Sequence, residues 1–172
     1  MKEENIKKVR AMLLRNGKIA VIESKRSGAY MLPGGKVEGK ENDETTLTRE
    51  ISEELGIDIK EEDIEGPFLT RKTSCKTRDE EGNEKEKNVI TNFYIASTEQ
   101  DINFSKMNLT PREKARGSMP YWINPSRLEY FLNKQIETFE NGYAKKYASE
   151  YLSVYKKFRE VQKSKKRKEL EK

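Results

Sequence analysis

The 172-residue chain contains no histidine and a single cysteine, Cys75. No internal disulfide can form, and neither a Cys/His zinc cluster nor a Ser-His or Cys-His nucleophilic scheme is available. Acid–base chemistry is left to carboxylates, lysine or tyrosine, and a catalytic metal would have to accept oxygen ligands. Cys75 falls in an expected strand, where a buried or half-buried structural thiol is anticipated. No apolar run approaches the roughly 20 residues that cross a bilayer. The opening Met1-Lys2-Glu3-Glu4-Asn5 carries acids where a signal peptide needs a basic end and a greasy stretch. These absences lead to the expectation of a cytoplasmic protein without a membrane span.

Apolar residues are also scarce, at 33% against 38% charged, so the core is thin for the length and part of the chain should lie outside a compact body. Charge is unevenly spread. Residues 143–172 hold 11 Lys/Arg and 4 Asp/Glu, a net of +7, whereas residues 1–142 hold 24 against 26, a net of −2. We therefore expect a near-neutral domain over 1–142 and a basic C-terminal helix over 143–172.

Two strands flanking Asn16-Gly17, a strong two-residue turn signal, predict a hairpin over residues 7–24. Tyr30-Met31-Leu32 then leads into Pro33-Gly34-Gly35, where adjacent glycines permit positive φ or close backbone approach. A helix is expected over 44–55, capped by Asn42 or Asp43 and stopped by Gly56, with Leu47, Ile51 and Leu55 as its buried stripe. Segments 67–78 and 87–97 read as a second hairpin. Residues 99–118 read as irregular, with Thr110-Pro111 and Gly117 as breakers. A short strand at Tyr121-Trp122-Ile123, a helix from Arg127 to about Glu140 stopped by Asn141-Gly142, and a long helix from Tyr143 to about Lys168 complete the chain. The order β-β-β-α-β-β-β-α-α predicts an α/β architecture with helices on the faces of a mixed sheet.

The chemistry concentrates between Gly34 and Ile57. Glu50, Glu53 and Glu54 stand at i, i+3 and i+4, on one side of the expected helix. Three such charges repel one another. An acidic solvated face is one reading; the alternative is a site for a divalent cation, and carboxylate and carbonyl oxygens suit Mg²⁺ or Mn²⁺.

This stretch resembles the signature of the Nudix hydrolases, G-x5-E-x7-R-E-U-x-E-E-x-G-U, where U is a bulky aliphatic residue. Gly35, Glu41, Arg49, Glu50, Ile51, Glu53, Glu54, Gly56 and Ile57 fill every defined position. The resemblance implies an α/β/α sandwich and metal-dependent cleavage of a phosphoanhydride in a nucleoside diphosphate linked to another moiety. It implies metal ligation by Glu50, Glu53, Glu54 and the Gly34 carbonyl, with Arg49 and Glu41 paired to orient the carboxylates. Gly35 and Gly56 would serve backbone shape, and Ile51 and Ile57 would anchor the segment to the sheet.

The base that takes a proton from the attacking water is one of these glutamates or one outside the signature. Glu113 is the first outside candidate and Glu99 the second, each also readable as a solvated loop residue. Arg10, Lys25, Arg26 and Lys36 are candidates for phosphate contacts. Tyr30, Tyr94 and Trp122 could stack on a base or pack in the core. The substrate stays open: Lys72 stands near the place where some members carry proline or tyrosine, and a MutT-like branch is left by default. Alternatives are cleavage at an RNA 5′ end or a non-catalytic nucleotide sensor.

In the C-terminal helix, Tyr143, Tyr147, Tyr151, Val154, Tyr155, Phe158 and Val161 share one face. The stripe should cover the domain's own sheet or helices; the alternative is a homodimer contact. The basic run Lys163-Ser164-Lys165-Lys166-Arg167-Lys168 reads as a solvated end or as a weak electrostatic contact for nucleic acid.

Overall fold

A computed structural model describes residues 2–139 and 142–172. The strands are β1 (Lys2–Arg15), β2 (Lys18–Ser24), β3 (Tyr30–Met31), β4 (Gly34–Lys36), β5 (Ile64–Arg78), β6 (Glu84–Ser97) and β7 (Ser118–Ile123). The helices are α1 (Asp43–Leu55), α2 (Pro111–Arg116), α3 (Pro125–Thr138) and α4 (Tyr143–Leu170). Both expected hairpins form. Asn16 and Gly17 take positive φ in the first turn, which matches the twist of the strands it joins.

The sheet runs β3-β2-β1-β6-β5, with β4 paired to β1 and β7 paired to β2. The pairing of β1 with β6 is parallel and runs from Lys2↔Lys85 to Leu14↔Ser97. Alternation along the strands sends side chains to two cores. Val9, Ala11, Leu13, Ala20 and Ile22 meet Leu47, Ile51 and Leu55 of α1. Met12, Ile19, Val21, Phe93 and Ile95 meet Leu128 and Leu132 of α3 and Val154, Tyr155 and Phe158 of α4. The result is a mixed sheet with helices on both faces, as the element order predicts.

The stripe of α4 is thus occupied by its own sheet, with Tyr147 and Val161 at its margins. The side chain of Tyr143, the expected helix end at Glu140 and Asn141 of the expected Asn141-Gly142 stop lie outside the described residues. The basic end of α4 is exposed, and Lys165 pairs with Glu65. Among the described residues no helix is long and apolar enough to cross a membrane.

Three expectations are corrected. Thr110-Pro111 does not break structure but opens α2: the Thr110 hydroxyl accepts the Glu113 amide, Glu113 Oε1 accepts the Thr110 amide, and proline takes the first turn, where its missing N–H costs nothing. The first strand of the expected hairpin begins at Lys2 and not at residue 7. Cys75 is exposed, not buried. No residue of β5 and none of the first half of β6 is buried, so strand alternation there does not separate buried from open positions.

Candidate active site

The site is built where α1 passes β4. Asn42 caps α1 by accepting the Thr45 amide. The cap is tied to the sheet through Asp43, whose carboxylate accepts from Lys7, Asn92 and Tyr94. Gly56 ends the helix in the left-handed region at φ 68°, and a Cβ there would sit 2.0 Å from the Asn103 carbonyl oxygen. Ile51 and Ile57 are fully buried beneath it.

The two glycines of β4 do different work. Gly34 has φ 146°, and a Cβ on it would overlap the Val9 carbonyl oxygen at 2.0 Å. Gly35 has no such backbone demand. A Cβ there would stand 2.4 Å from Glu50 Oε1, so its role is room for that carboxylate and not the backbone shape that the signature suggests.

Glu54 is buried, and its Oε1 accepts the Gly34 amide at 2.9 Å. Burial pushes its carboxyl well above the usual carboxylate range; Arg10 and the Gly34 amide oppose the rise, and Glu50 and Glu113 add to it. Burial likewise raises Glu50 to about 6, against the pull of Arg49. Arg49 is the organiser. It grips Glu41 through Nε–Oε2 at 2.8 Å and Nη2–Oε1 at 3.0 Å, and its Nη1 reaches Glu50 Oε1 at 3.0 Å and Glu53 Oε2 at 3.4 Å. The guanidinium holds Glu41 down at about 2.

These residues open onto a cleft of about 480 Å³, lined by the three glutamates, Gly34, Gly35 and Arg49. Lys8, Arg10, Lys87, Arg112, Glu113 and Arg116 line the same cleft. Glu113 therefore reaches the cleft, close enough to act on the charge of Glu50 and Glu54. Glu99 does not: it is exposed at the far end of β6, where its carbonyl accepts from Arg15.

Of the candidate phosphate contacts, Arg10 lines the cleft, with Nη1 on the carbonyls of Leu32 at 2.9 Å and Gly34 at 3.2 Å. Lys25 and Arg26 lie outside it, in the exposed turn after β2. Lys36 is exposed beside it, and only its carbonyl takes part, accepting from Arg49. Tyr30 packs against Tyr121 and Phe131, Tyr94 is buried on Asp43, and Trp122 donates to Asp101 at 2.7 Å. None of the three faces the cleft.

Sequence reasoning missed Lys8, Lys87, Arg112 and Arg116. Lys8 was within reach, because it stands two residues from Arg10 and so on the same face of β1.

The donor set fits a hard divalent cation in chemistry: oxygens only, two of the carboxyls raised by burial, all facing an open cleft. Among the described residues no three acidic side chains close on one point, because Arg49 Nη1 lies between Glu50 and Glu53.

The NUDIX domain matches residues 6–144. Among solved structures, a MutT/nudix family protein from Enterococcus faecalis is similar at 25% identity and TM-score 0.50, over 72% of this chain and 45% of that one. This chain thus spans less than half the length of the E. faecalis protein. The C. elegans Ap4A hydrolase shares the fold at 16% identity and TM-score 0.52, over 92% of this chain and 98% of that one. No curated protein matches. With the signature complete and the domain match running through β1, the site and both helical faces, the chain belongs to the Nudix family.

Proposed function

We propose that the chain is a divalent-metal-dependent hydrolase that cuts a phosphoanhydride bond in a nucleoside triphosphate or another nucleoside diphosphate-linked compound. One observation carries the reading. Glu50 and Glu54, both raised by burial, face a cleft that Lys8, Arg10, Lys87, Arg112 and Arg116 also line. Carboxylates of this kind suit a cation, and the five basic side chains suit phosphate.

Glu50, Glu53, Glu54 and the Gly34 carbonyl would hold Mg²⁺ or Mn²⁺. When bound, the ion would supply charge neutralisation at the phosphoryl oxygens and a more acidic water. Arg49 is a positioning residue: with Glu41 behind it, it fixes how Glu50 and Glu53 present their oxygens. Arg10 orients the Gly34 carbonyl and offsets the charge of Glu54. Glu113 is the candidate base, since it faces the cleft from α2 and its capping bond uses Oε1. Water attacks phosphorus, the proton passes to the carboxylate, and the anhydride oxygen leaves with the second phosphoryl group. No covalent enzyme intermediate is needed. Fold likeness to an Ap4A hydrolase does not choose among substrates.

The test is phosphate or pyrophosphate release across nucleoside triphosphates, oxidised nucleoside triphosphates, dinucleoside polyphosphates, ADP-ribose and nucleotide sugars, with Mg²⁺, with Mn²⁺ and with chelator. Metal-dependent turnover of one class is expected. Silence across the panel, or turnover indifferent to chelator, would overturn the reading.

A further inference from the structure

The cleft does not end at the carboxylates. Lys8, Arg10, Lys87 and Tyr147 also line a groove of about 210 Å³ between α4 and the β1–β6–β5 face, with Thr73, Cys75, Val89, Thr91, Phe93 and Lys146 along it. The register explains the continuity: Lys8 is level with Thr91, Val89 with Thr73, and Lys87 with Cys75, all on one face of the ribbon.

Glu150 lines the groove and the site's glutamates line the cleft, yet the cations at the junction of the two stand outside ion-pair range of them. The nearby acids are already matched, Glu4 with Lys85 and Glu150 with Arg71 at 3.8 Å. Among the described residues Lys8, Lys87 and Arg112 have no carboxylate in ion-pair range, and the buried Arg116 Nε has no hydrogen-bond partner. Burial lowers the Lys8 pKa, and the neighbouring charges of Arg10, Lys87 and Arg112 lower it further against the opposing pull of Glu150. Like charges gathered beside a cleft are costly unless an anion joins them.

The amount of charge separates substrate classes. A diphosphate linkage carries about two negative charges and a triphosphate chain about four. Three glutamates already balance a divalent cation, so the phosphate charge falls to the cleft's own cations, and Lys8, Lys87 and Arg112 beyond Arg10 match the longer chain. The groove beyond mixes the apolar walls of Val89, Phe93 and Tyr147 with the hydroxyls of Thr73 and Thr91, a lining that suits a base and ribose.

We infer that cleft and groove form one channel, in which Lys8, Lys87 and Arg112 hold phosphate beyond the diphosphate at the carboxylates and the groove receives the nucleoside. The substrate is then a nucleoside polyphosphate with at least three phosphates in its chain. This rests on the hydrolase reading, but its binding step can be tested apart from turnover.

Cys75 is the only thiol of the chain, is exposed, and lines the groove, so it serves as a probe. Its alkylation by N-ethylmaleimide would be followed by intact mass, in chelator, with the α,β-methylene analogues of ATP and GTP. At ten times its Kd, an analogue that fills the groove should slow alkylation about tenfold by mass action. AMP and ADP-ribose at the same concentration should change the rate less than about twofold. The Lys8→Gln/Lys87→Gln double variant, checked for an unchanged melting temperature, should lose the protection and the binding of inorganic tripolyphosphate, which in the parent should weaken steeply with salt.

An analogue that binds by calorimetry but leaves alkylation unchanged would overturn the channel. So would failure of both analogues to bind, or equal protection by ADP-ribose. Metal-dependent turnover without protection sinks only the channel. Protection with a silent substrate panel keeps the channel and sinks the hydrolase reading.

Discussion

A Cβ at Gly35 would stand 2.4 Å from Glu50 Oε1 and 2.6 Å from its carboxyl carbon, so the glycine on β4 defines the space that the carboxylate on α1 occupies. Gly35 needs no left-handed backbone, and the atoms in the way are the far end of a flexible side chain. Gly35→Ala should therefore fold, with a melting temperature within about 3 °C of the parent, while Glu50 is pushed aside and metal-dependent turnover falls at least about tenfold. Gly34→Ala is the contrast, because its Cβ would overlap the Val9 backbone at 2.0 Å; that variant should be largely insoluble or unfolded. Comparable activity in Gly35→Ala and the parent would remove Glu50 from the reaction.

Glu53 is the most exposed of the acidic trio, and among the described residues its carboxylate pairs with Arg49 alone, at 3.4 Å. Glu53→Gln keeps the shape and removes one charge, so stability should change by less than about 0.5 kcal/mol. Turnover should fall by about a hundredfold or more, mostly in kcat, if the carboxylate holds a metal. A second readout is Mn²⁺ binding followed by electron paramagnetic resonance, which should weaken in the same variant. Near-parental values in both would overturn the metal-site assignment.

The Gly34–Ile57 region was legible because its signals are local. The Asn42 cap, the Leu47/Ile51/Leu55 stripe and the Gly56 stop all act within a few residues of one another, and the acidic trio needs only helical spacing to share one side of α1. The first hairpin was legible for the same reason, from Asn16-Gly17. What stayed hidden is non-local. No spacing in the sequence announces that β1 and β6 run parallel, so the meeting of Lys8 with Lys87 could not be read. The exposure of Cys75 follows from β5 burying none of its residues, a property of the assembled layers. Thr110-Pro111-Arg112-Glu113 was legible but misread: a threonine three residues before a glutamate is a capping box as much as a turn, and here it brings Glu113 and Arg112 to the cleft.

The Arg49–Glu41 pair sets a pH dependence of stability. Glu41 falls to about 2 in the folded chain, chiefly through its hydrogen bonds with Arg49, from an unfolded value of 4.5. A carboxyl depressed on folding contributes above its unfolded pKa and loses that contribution as pH falls towards the folded value. Glu41→Gln should therefore melt about 2–4 °C below the parent at pH 7, and the gap should close between about pH 4.5 and pH 2. Arg49→Lys, which cannot reproduce the two-pronged grip, should show a similar loss at pH 7. A gap between parent and Glu41→Gln that stays constant down to pH 2 would mean that the pair is not coupled to folding.

Phe158 and Lys165 divide α4 into a part the domain needs and a part it does not. Phe158 is buried, with its ring 6.3 Å from Phe68 of β5 and 6.3 Å from Tyr155, at the centre of the core that α4 closes. Phe158→Ala leaves a cavity there and should cost roughly 3–5 kcal/mol, and ending the chain at residue 142 should prevent folding altogether. Beyond Val161 the helix is exposed, and the Lys165–Glu65 pair is a surface contact of the kind worth less than about 1 kcal/mol. Removing residues 163–172 should thus shift the melting temperature by less than about 2 °C and leave turnover of a small nucleotide unchanged, because none of these residues lines the cleft or the groove. Thermal melts of the three variants check the division. A truncation at 162 as damaging as Phe158→Ala would show that the basic end belongs to the folded domain, and the division within α4 would have to move to the C-terminus.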